Sequence, residues 1–169
     1  MEVEHAIRER RTHKVYGPEP VPAETLLELL ELARWAPNHQ LTEPWRFRVL
    51  GPGTLARLVA AGKPSEAEKL RRAPTLVVAS VKSSGDAHQA REDVLATACA
   101  VYIVLLAASA RGLASYWRTP ALLETPAGRA AVGLADDEEF VALIHLGDPS
   151  TTPAAKERRP VYDYTAFLP

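Results

Sequence analysis

Apolar residues follow a helical period early in the chain and a strand period later. They recur at helical spacing in residues 2–11 and again in residues 23–36, where glutamates take the opposite face. The proline-rich segment 17–22 separates these two predicted helices, because proline lacks an amide donor and turns the residue before it away from helical geometry. The chain is therefore predicted to begin with two helices joined by a stiff connector.

The predicted strands follow this helical part. Residues 45–50 alternate apolar with basic side chains, as in a half-buried strand, and residues 75–81 form the continuous apolar run of a central strand. The other predicted elements are short helices within 55–72, a turn at 83–85, strands at 113–117 and 140–146, and a helix at 122–132. No strand leads into the glycine-rich turn of a dinucleotide fold, so an α+β arrangement is favoured over a doubly wound sheet.

Residues 94–110 carry no charged side chain, and this run is about as long as the shortest membrane-spanning helices. Alanines and other small residues occupy all sides of the predicted helix. This favours the fully packed core helix of a soluble protein over a membrane span. Cys99 lies among these alanines. We therefore expect its thiol to be buried and unreactive.

Composition limits the classes of protein and partner. The chain has 169 residues, 47% of them hydrophobic and 24% charged, which is typical of a single globular domain. Its net charge of −1 disfavours a nucleic-acid partner. The single cysteine excludes a disulfide scaffold and a cysteine zinc site, and the acidic start lacks the features of an export signal, so we expect a cytoplasmic protein.

Residues 10–14 form the first candidate site, with the sequence Arg-Arg-Thr-His-Lys at the end of the first predicted helix. Guanidinium, hydroxyl and ammonium donors this close together suit a phosphate group. A solvated basic helix end, which balances the helix dipole, is the alternative interpretation.

The second candidate is a polar loop that follows the second predicted helix. Trp35 precedes Pro37, and Asn38, His39 and Gln40 then supply polar groups that could bind a heteroaromatic ring. The alternative is a helix stop followed by an ordinary surface loop. Asn38 is the only asparagine in the chain, which is a mild indication that the loop has a function.

Two further segments carry candidate ligand groups. Residues 116–120 place aromatic, guanidinium and hydroxyl side chains at the end of a predicted strand, and residues 156–160 form another basic cluster. An ordinary strand end and a solvated charge run are the alternatives. The sequence has none of the motifs of a serine hydrolase, a zinc protease or a nucleotide-binding loop, so these chemistries find little support and we predict no metal site.

Taken in order, these segments resemble the motifs of the FMN-dependent nitroreductases, most closely their compact bacterial branch. The resemblance runs nearly from end to end. The matching segments are Arg10-Arg11-Thr12 with Lys14, Ala36-Pro37 to Glu43-Pro44-Trp45-Arg46-Phe47, Trp117-Arg118-Thr119-Pro120, and Lys156-Glu157-Arg158.

The chain departs from the family at the second motif. Many members place an asparagine two residues before the motif glutamine, where this chain has Leu41 and Glu43. A carboxylate at Glu43 cannot donate a hydrogen bond unless it is protonated. Trp35 occupies a helix-end position where some members of the similar compact branch carry a basic residue near the flavin, so stacking would replace a charge contact there.

The resemblance implies a single α+β domain over residues 1–169, with helices layered on a mixed, largely antiparallel sheet that dimerisation completes. It also implies a homodimer with two FMN molecules at the interface and a tail, residues 150–169, that reaches the partner subunit. The residues that it assigns to cofactor binding are Arg10, Arg11, Thr12, Lys14, Trp35, His39, Trp117, Arg118, Thr119 and Arg158.

The implied activity is ping-pong hydride transfer, in which NADH or NADPH reduces the flavin and a small-molecule acceptor, such as a nitroaromatic or a quinone, reoxidises it. FMN carries this chemistry, so no catalytic side chain is required. A flavin-binding protein for storage or regulation, without substantial turnover, is the alternative. A small anion-binding or nucleic-acid-binding module is disfavoured by the balanced charge.

Overall fold

The computed structural model describes residues 3–82 and 86–169, in which helices cover both faces of a four-stranded sheet. The strands are β1 (Trp45–Val49), β2 (Thr75–Lys82), β3 (Ala114–Arg118) and β4 (Glu138–Gly147). Their order in the sheet is β1-β2-β4-β3, and neighbouring strands are antiparallel throughout. One isolated parallel bridge, between Thr12 and Ser115, extends the sheet beyond β3. The predicted α+β class is confirmed.

The helices largely follow the predicted periodicity. They are α1 (Val3–Glu9), α2 (Ala23–Ala33), α3 (Pro52–Ala61), α4 (Pro64–Leu70), α5 (Ala87–Ala110) and α6 (Pro126–Val132), with 3-10 turns at His39–Leu41, Ala121–Glu124 and Val161–Tyr164. The single helix predicted over 122–132 is wrong, because Thr125 caps a new helix that begins at Pro126 by accepting from the Gly128 amide. The predicted start at Glu2 and the turn at 83–85 lie outside the described residues.

Two hydrophobic clusters hold the layers together. Helices α2 and α5 pack on one face of the sheet, and α3, α4 and α6 pack on the other. Every residue of the predicted run 75–81 is buried, because β2 is a central strand between these layers. Along each strand, successive side chains therefore enter different clusters, as Val77 and Val78 do.

Helix α5 has 24 residues and begins seven residues before its predicted start. Asp86 caps it by accepting hydrogen bonds from the amides of His88 and Gln89, so the charged residues that follow are helical. By length and composition the helix could cross a membrane, since an 18-residue stretch of it has a mean hydropathy of 2.0. Its inner side packs on the sheet in the first hydrophobic cluster, as the core helix of a globular domain does.

Two expectations for α5 are wrong within the single chain. The helix is not packed on every side, since Leu95 and Tyr102 are 53% and 40% exposed. Cys99 is exposed as well, because it lies four residues after Leu95 and three before Tyr102 and so shares their side of the helix. Its alanine neighbours Ala96 and Ala100 face the core instead.

An ion pair across the sheet links β1, β2 and β4. The Arg48 guanidinium donates to both carboxylate oxygens of Glu138 at 2.8 and 2.7 Å, and the Ser80 hydroxyl donates to one of them at 2.6 Å. The Arg48 hydrogen bonds hold the pKa of Glu138 below its ordinary value of 4.5, against the opposing effect of burial. The pair therefore stabilises the folded state when Glu138 is ionised.

We expect Glu138→Gln to lower the free energy of unfolding by about 2 kcal/mol at neutral pH, because it leaves the Arg48 charge without its partner. The pKa of Glu138 is depressed by folding, so this difference is full above pH 4.5 and shrinks as the pH falls below it. Urea unfolding at neutral and acid pH measures it.

Asp137→Asn is the matched control for this prediction. Asp137 pairs with Lys82 at 2.8 Å, but both side chains are about half exposed, at 55% and 46%. Exposed pairs contribute little, so the control should change stability much less than Glu138→Gln does. Equal effects from the two variants would show that the Arg48–Glu138 pair has no special role.

Candidate functional site

The basic segment, residues 10–14, lies along the outer edge of β3. The Thr12–Ser115 bridge and a 3.1 Å hydrogen bond from the His13 amide to the Ser115 carbonyl attach it there. Further on, the Gly17 amide donates to the Asp148 carbonyl at 2.9 Å. The segment thus joins the end of α1 to the edge of the sheet, and its conformation is set by backbone pairing with β3 and with the residues that follow β4.

Two cations of this segment are available for a ligand. The side chains of Arg10 and Lys14 form no hydrogen bond or ion pair with any other residue in 3–82 or 86–169. Arg11 differs, because its guanidinium donates to the carbonyls of Arg8 and Arg10 and lies 3.7 Å from the Glu9 carboxylate. Arg11 therefore closes the end of α1, as the helix-end interpretation predicts.

Buried polar atoms without partners mark the same edge of the sheet. Within the described part of the chain they include His13 Nδ1 and Ser115 Oγ, which belong to residues joined by the backbone hydrogen bond given above. Buried polar groups in native proteins nearly always have a hydrogen-bond partner. Burial lowers the pKa of His13, and the nearby charge of Arg10 acts in the same direction, so its ring favours the neutral form. This edge can accept a polar, anionic ligand.

The predicted site residues at the end of β3 lie on different faces of the sheet. Trp117 packs with the cluster under α2 and α5, whereas Arg118 points to the opposite face, because side chains alternate along a strand. Arg118 donates to Glu66 at 3.2 Å, and its second terminal nitrogen, Nη1, is buried without a partner among the residues described. Thr119 is exposed. The structure therefore does not bring Trp117 and Arg118 to one side of the sheet.

The ion pair with Glu66 connects the Arg118 side chain to α4. The hydrogen bond from the Lys69 ammonium has the largest effect in holding the pKa of Glu66 below its ordinary value, and the Arg118 guanidinium lowers this pKa as well. The Arg118 side chain is only 11% exposed. One terminal nitrogen, Nη2, thus binds Glu66, and Nη1 is the nitrogen that remains for a ligand.

The polar loop forms a second part of the candidate site. Trp35 is 77% exposed at the end of α2, and His39 is exposed in the 3-10 turn that follows. The Asn38 side chain closes the loop by donating to the Ala36 carbonyl at 3.2 Å and accepting from the Glu43 amide at 3.0 Å. The only asparagine of the chain therefore shapes this loop.

An open cleft of about 320 Å³ lies between this loop and the start of α5. The residues that line it are His39, Gln40, Asp86, His88, Gln89 and Glu92. No group of three or more potential metal ligands occurs within 3–82 and 86–169. The cleft therefore presents imidazole, amide and carboxylate groups to a small organic ligand.

The tail, residues 150–169, is almost entirely exposed, and Arg158 lies in it without a partner among the described residues. It leaves the sheet beside the basic segment, where Tyr16 bridges Pro149. Val161, Tyr162, Tyr164, Phe167 and Leu168 are between 53% and 94% exposed. More than half of the surface of each of these side chains is therefore uncovered within one chain.

Sequence reasoning missed several residues of this region. Ser115 was not singled out because it lies inside a predicted strand. Asp93, which binds the polar loop, could not be distinguished from the many other carboxylates of the chain. His145 is fully buried on β4 beside the Tyr116 ring. One signal for Asp93 was available, since it directly precedes the uncharged run 94–110.

Comparison with known proteins identifies relatives along the whole chain. The sequence profile of the nitroreductase family matches residues 7–61 and 54–148. YfhC of Bacillus subtilis, provisionally named an NAD(P)H nitroreductase, is 32% identical over 93% of this chain and 89% of its own.

Solved structures agree with this result. A nitroreductase-like family protein from Bacillus cereus, 24% identical, has a TM-score of 0.90 and covers 99% of this chain and 96% of its own. A provisionally named nitroreductase from Desulfovibrio desulfuricans, solved in complex with FMN, is 27% identical with a TM-score of 0.83 over 99% and 96% of the two chains.

Proposed function

The chain belongs to the nitroreductase family, and on that premise we propose that it is an FMN-dependent oxidoreductase. Its electron donor is NADH or NADPH, and its acceptor is a nitroaromatic, a quinone or a similar small molecule. The names of its relatives, and the FMN complex of the Desulfovibrio desulfuricans protein, support this assignment.

The edge of β3 carries the proposal. There the backbone holds Arg10 and Lys14, two cations without internal partners, beside the unpartnered buried atoms His13 Nδ1 and Ser115 Oγ. A cofactor with a phosphate and a hydroxylated chain offers the complementary groups, because phosphate oxygens accept from guanidinium and ribityl hydroxyls both donate and accept. The residues present therefore fit FMN.

Each part of the cofactor has candidate residues. Arg10 and Thr12 would bind the phosphate, with Arg11 at the helix end beside them, Arg118 Nη1 as a further donor and Arg158 supplied by a tail. Lys14 would place positive charge near the ring system, and the aromatic face of Trp35 and the imidazole of His39 would contact it. Trp117 and Thr119 complete the set at the end of β3.

When bound, FMN would supply the redox chemistry, accepting a hydride from NAD(P)H and passing the electrons to an acceptor in a ping-pong sequence. The side chains would bind and orient the reactants. The cleft beside His39 and Gln40 is open to solvent, so donor and acceptor could enter it in turn. No protein nucleophile is required.

The proposed assembly is a homodimer with its active sites at the interface, built from one domain of residues 1–169. The uncovered apolar side chains of α5 and of the tail support it, since a second copy could cover both. In this assembly each tail would carry its Arg158 to the partner subunit. We further propose a cytoplasmic location, which agrees with a single cysteine that can form no intramolecular disulfide, and we propose neither nucleic acid nor a membrane as partner.

Arg10→Ala should weaken FMN binding by about 1.5–3 kcal/mol, the size of a charge-assisted hydrogen bond. Arg8→Ala is the matched control, because it removes the same charge from an exposed position on α1 about half a turn earlier. Fluorescence titration of the cofactor-free variants with FMN measures both. Unchanged affinity in Arg10→Ala would remove the phosphate role from this residue.

A further inference from the structure

The loop at residues 38–44 has unusual backbone geometry. Gln40, Leu41 and Glu43 have φ angles of 55°, 53° and 44°, in the left-handed region that residues other than glycine rarely adopt. Such conformations persist only where the surrounding structure holds them, and they concentrate at functional sites. Two of these three residues immediately follow His39, the loop residue assigned to the cofactor ring.

Asp93 on α5 holds this loop from outside. The Thr42 hydroxyl, which lies between Leu41 and Glu43, donates to Asp93 Oδ1 at 2.7 Å. Gln89, one turn earlier on α5, donates to the same oxygen at 2.8 Å. Asp93 is 1% exposed, so this carboxylate meets the loop in a buried setting where hydrogen bonds are strong.

The same contact shapes the cleft. Gln89 lines it from α5, while His39 and Gln40 line it from the loop. Asp93 joins the two walls, because it binds Gln89 on one side and Thr42 on the other. Asn38 forms its hydrogen bonds with the Ala36 carbonyl and the Glu43 amide. These bonds shape the loop without attaching it to α5.

We propose that Asp93 is a positioning residue for the cofactor ring. Through its hydrogen bond with Thr42 it holds the 38–44 loop in its left-handed conformation, and this conformation fixes the positions of His39 and Gln40. Asp93 acts through the loop and does not touch the reactants. The inference rests on the proposed function, because it assigns the ring to the site that this loop borders.

Thr42→Val tests the contact with little change in shape, since it replaces the hydroxyl by a methyl group. Thr42→Ser restores a hydroxyl and is the rescue variant. Thr97→Val is the matched control, because Thr97 lies one turn after Asp93 on α5, is fully buried, and has a hydroxyl without a partner among the described residues. All three can be compared with the parent as cofactor-free and FMN-loaded protein.

Three readouts separate positioning from general stability. Hydrogen exchange of the amides at 39–43 in the cofactor-free protein should be about tenfold faster in Thr42→Val, with the amides of β2 unchanged. The FMN dissociation constant should rise about tenfold, and the midpoint potential of the bound flavin should shift. Thr42→Ser should return all three values towards those of the parent, and Thr97→Val should match the parent.

Unchanged exchange in Thr42→Val would overturn the proposal, because the loop would then not depend on Asp93. Faster exchange with unchanged FMN affinity and potential would overturn it too, by reducing the contact to a structural one. A parent protein that binds no FMN would instead overturn the proposed function, and with it the cofactor role of Asp93, whatever the exchange result.

Discussion

Between pH 6.5 and about 3 the protein is expected to lose about 1.4 kcal/mol of stability per pH unit through His145 alone. Burial, followed by the charges of Arg118 and Arg72, lowers the pKa of this histidine from 6.5 to about 3. The side chain is fully buried, with the rings of Tyr16 and Tyr116 at 6.4 and 5.8 Å. Its environment therefore favours the neutral imidazole.

The sign follows from proton uptake. Below pH 6.5 the unfolded chain protonates this histidine while the folded protein does not, so acid favours unfolding until the pH reaches the folded pKa. The interval from pH 6.5 down to 4.5 separates the effect from that of Glu138, which retains its contribution above its ordinary pKa of 4.5. His13, whose pKa is also lowered, adds to the slope of the parent protein.

His145→Leu removes this titration and should flatten the dependence by about 1.4 kcal/mol per pH unit over that interval. Urea unfolding at a series of pH values measures the slope, which does not depend on any uniform change in stability. His88→Gln, at an exposed position, is the control and should keep the slope of the parent. An equal slope in the parent and in His145→Leu would show that the buried imidazole does not control acid stability.

Removal of residues 150–169 should abolish both dimerisation and high-affinity FMN binding. The tail adds nothing to either hydrophobic cluster, so the remaining chain should still unfold cooperatively. It carries Tyr162, Phe167 and Leu168, which are 82%, 94% and 87% exposed, together with Arg158. In the proposed assembly these groups cover the partner subunit and complete its cofactor site.

Two full-length variants divide these roles. Replacing Tyr162, Phe167 and Leu168 together by serine should weaken the dimer, while Arg158→Ala should leave it intact and weaken FMN binding about tenfold or more. Sedimentation velocity and FMN titration measure the two effects. A truncated protein that stays dimeric with the FMN affinity of the parent would exclude the tail from both roles.

Local patterns predicted much of the fold. The apolar run 75–81 predicted β2, because a strand between two layers must be apolar on both faces. Helix ends were less predictable, since they depend on capping side chains: Asp86 starts α5 early, and Thr125 divides the helix predicted over 122–132. Cys99 was misjudged because its neighbours in sequence do not share its side of the helix.

The candidate site was only partly predictable. Short motifs identified residues 10–14 and the polar loop, because their chemistry is contained in a few consecutive side chains. Thr12 meets Ser115, and Thr42 meets Asp93, only through strand order and helix placement, which spacing along the chain does not reveal. The Arg118–Glu66 pair was missed for the same reason, since it joins the end of β3 to α4.

The most direct test of the proposed function is anaerobic reduction of the FMN-loaded protein. Flavin absorbance is followed after addition of NADH or NADPH, and again after addition of a nitroaromatic or a quinone. The proposed oxidoreductase predicts that the absorbance bleaches within seconds and returns with the acceptor. A bound flavin that keeps its oxidised spectrum with both donors would contradict it and would favour a flavin-storage protein.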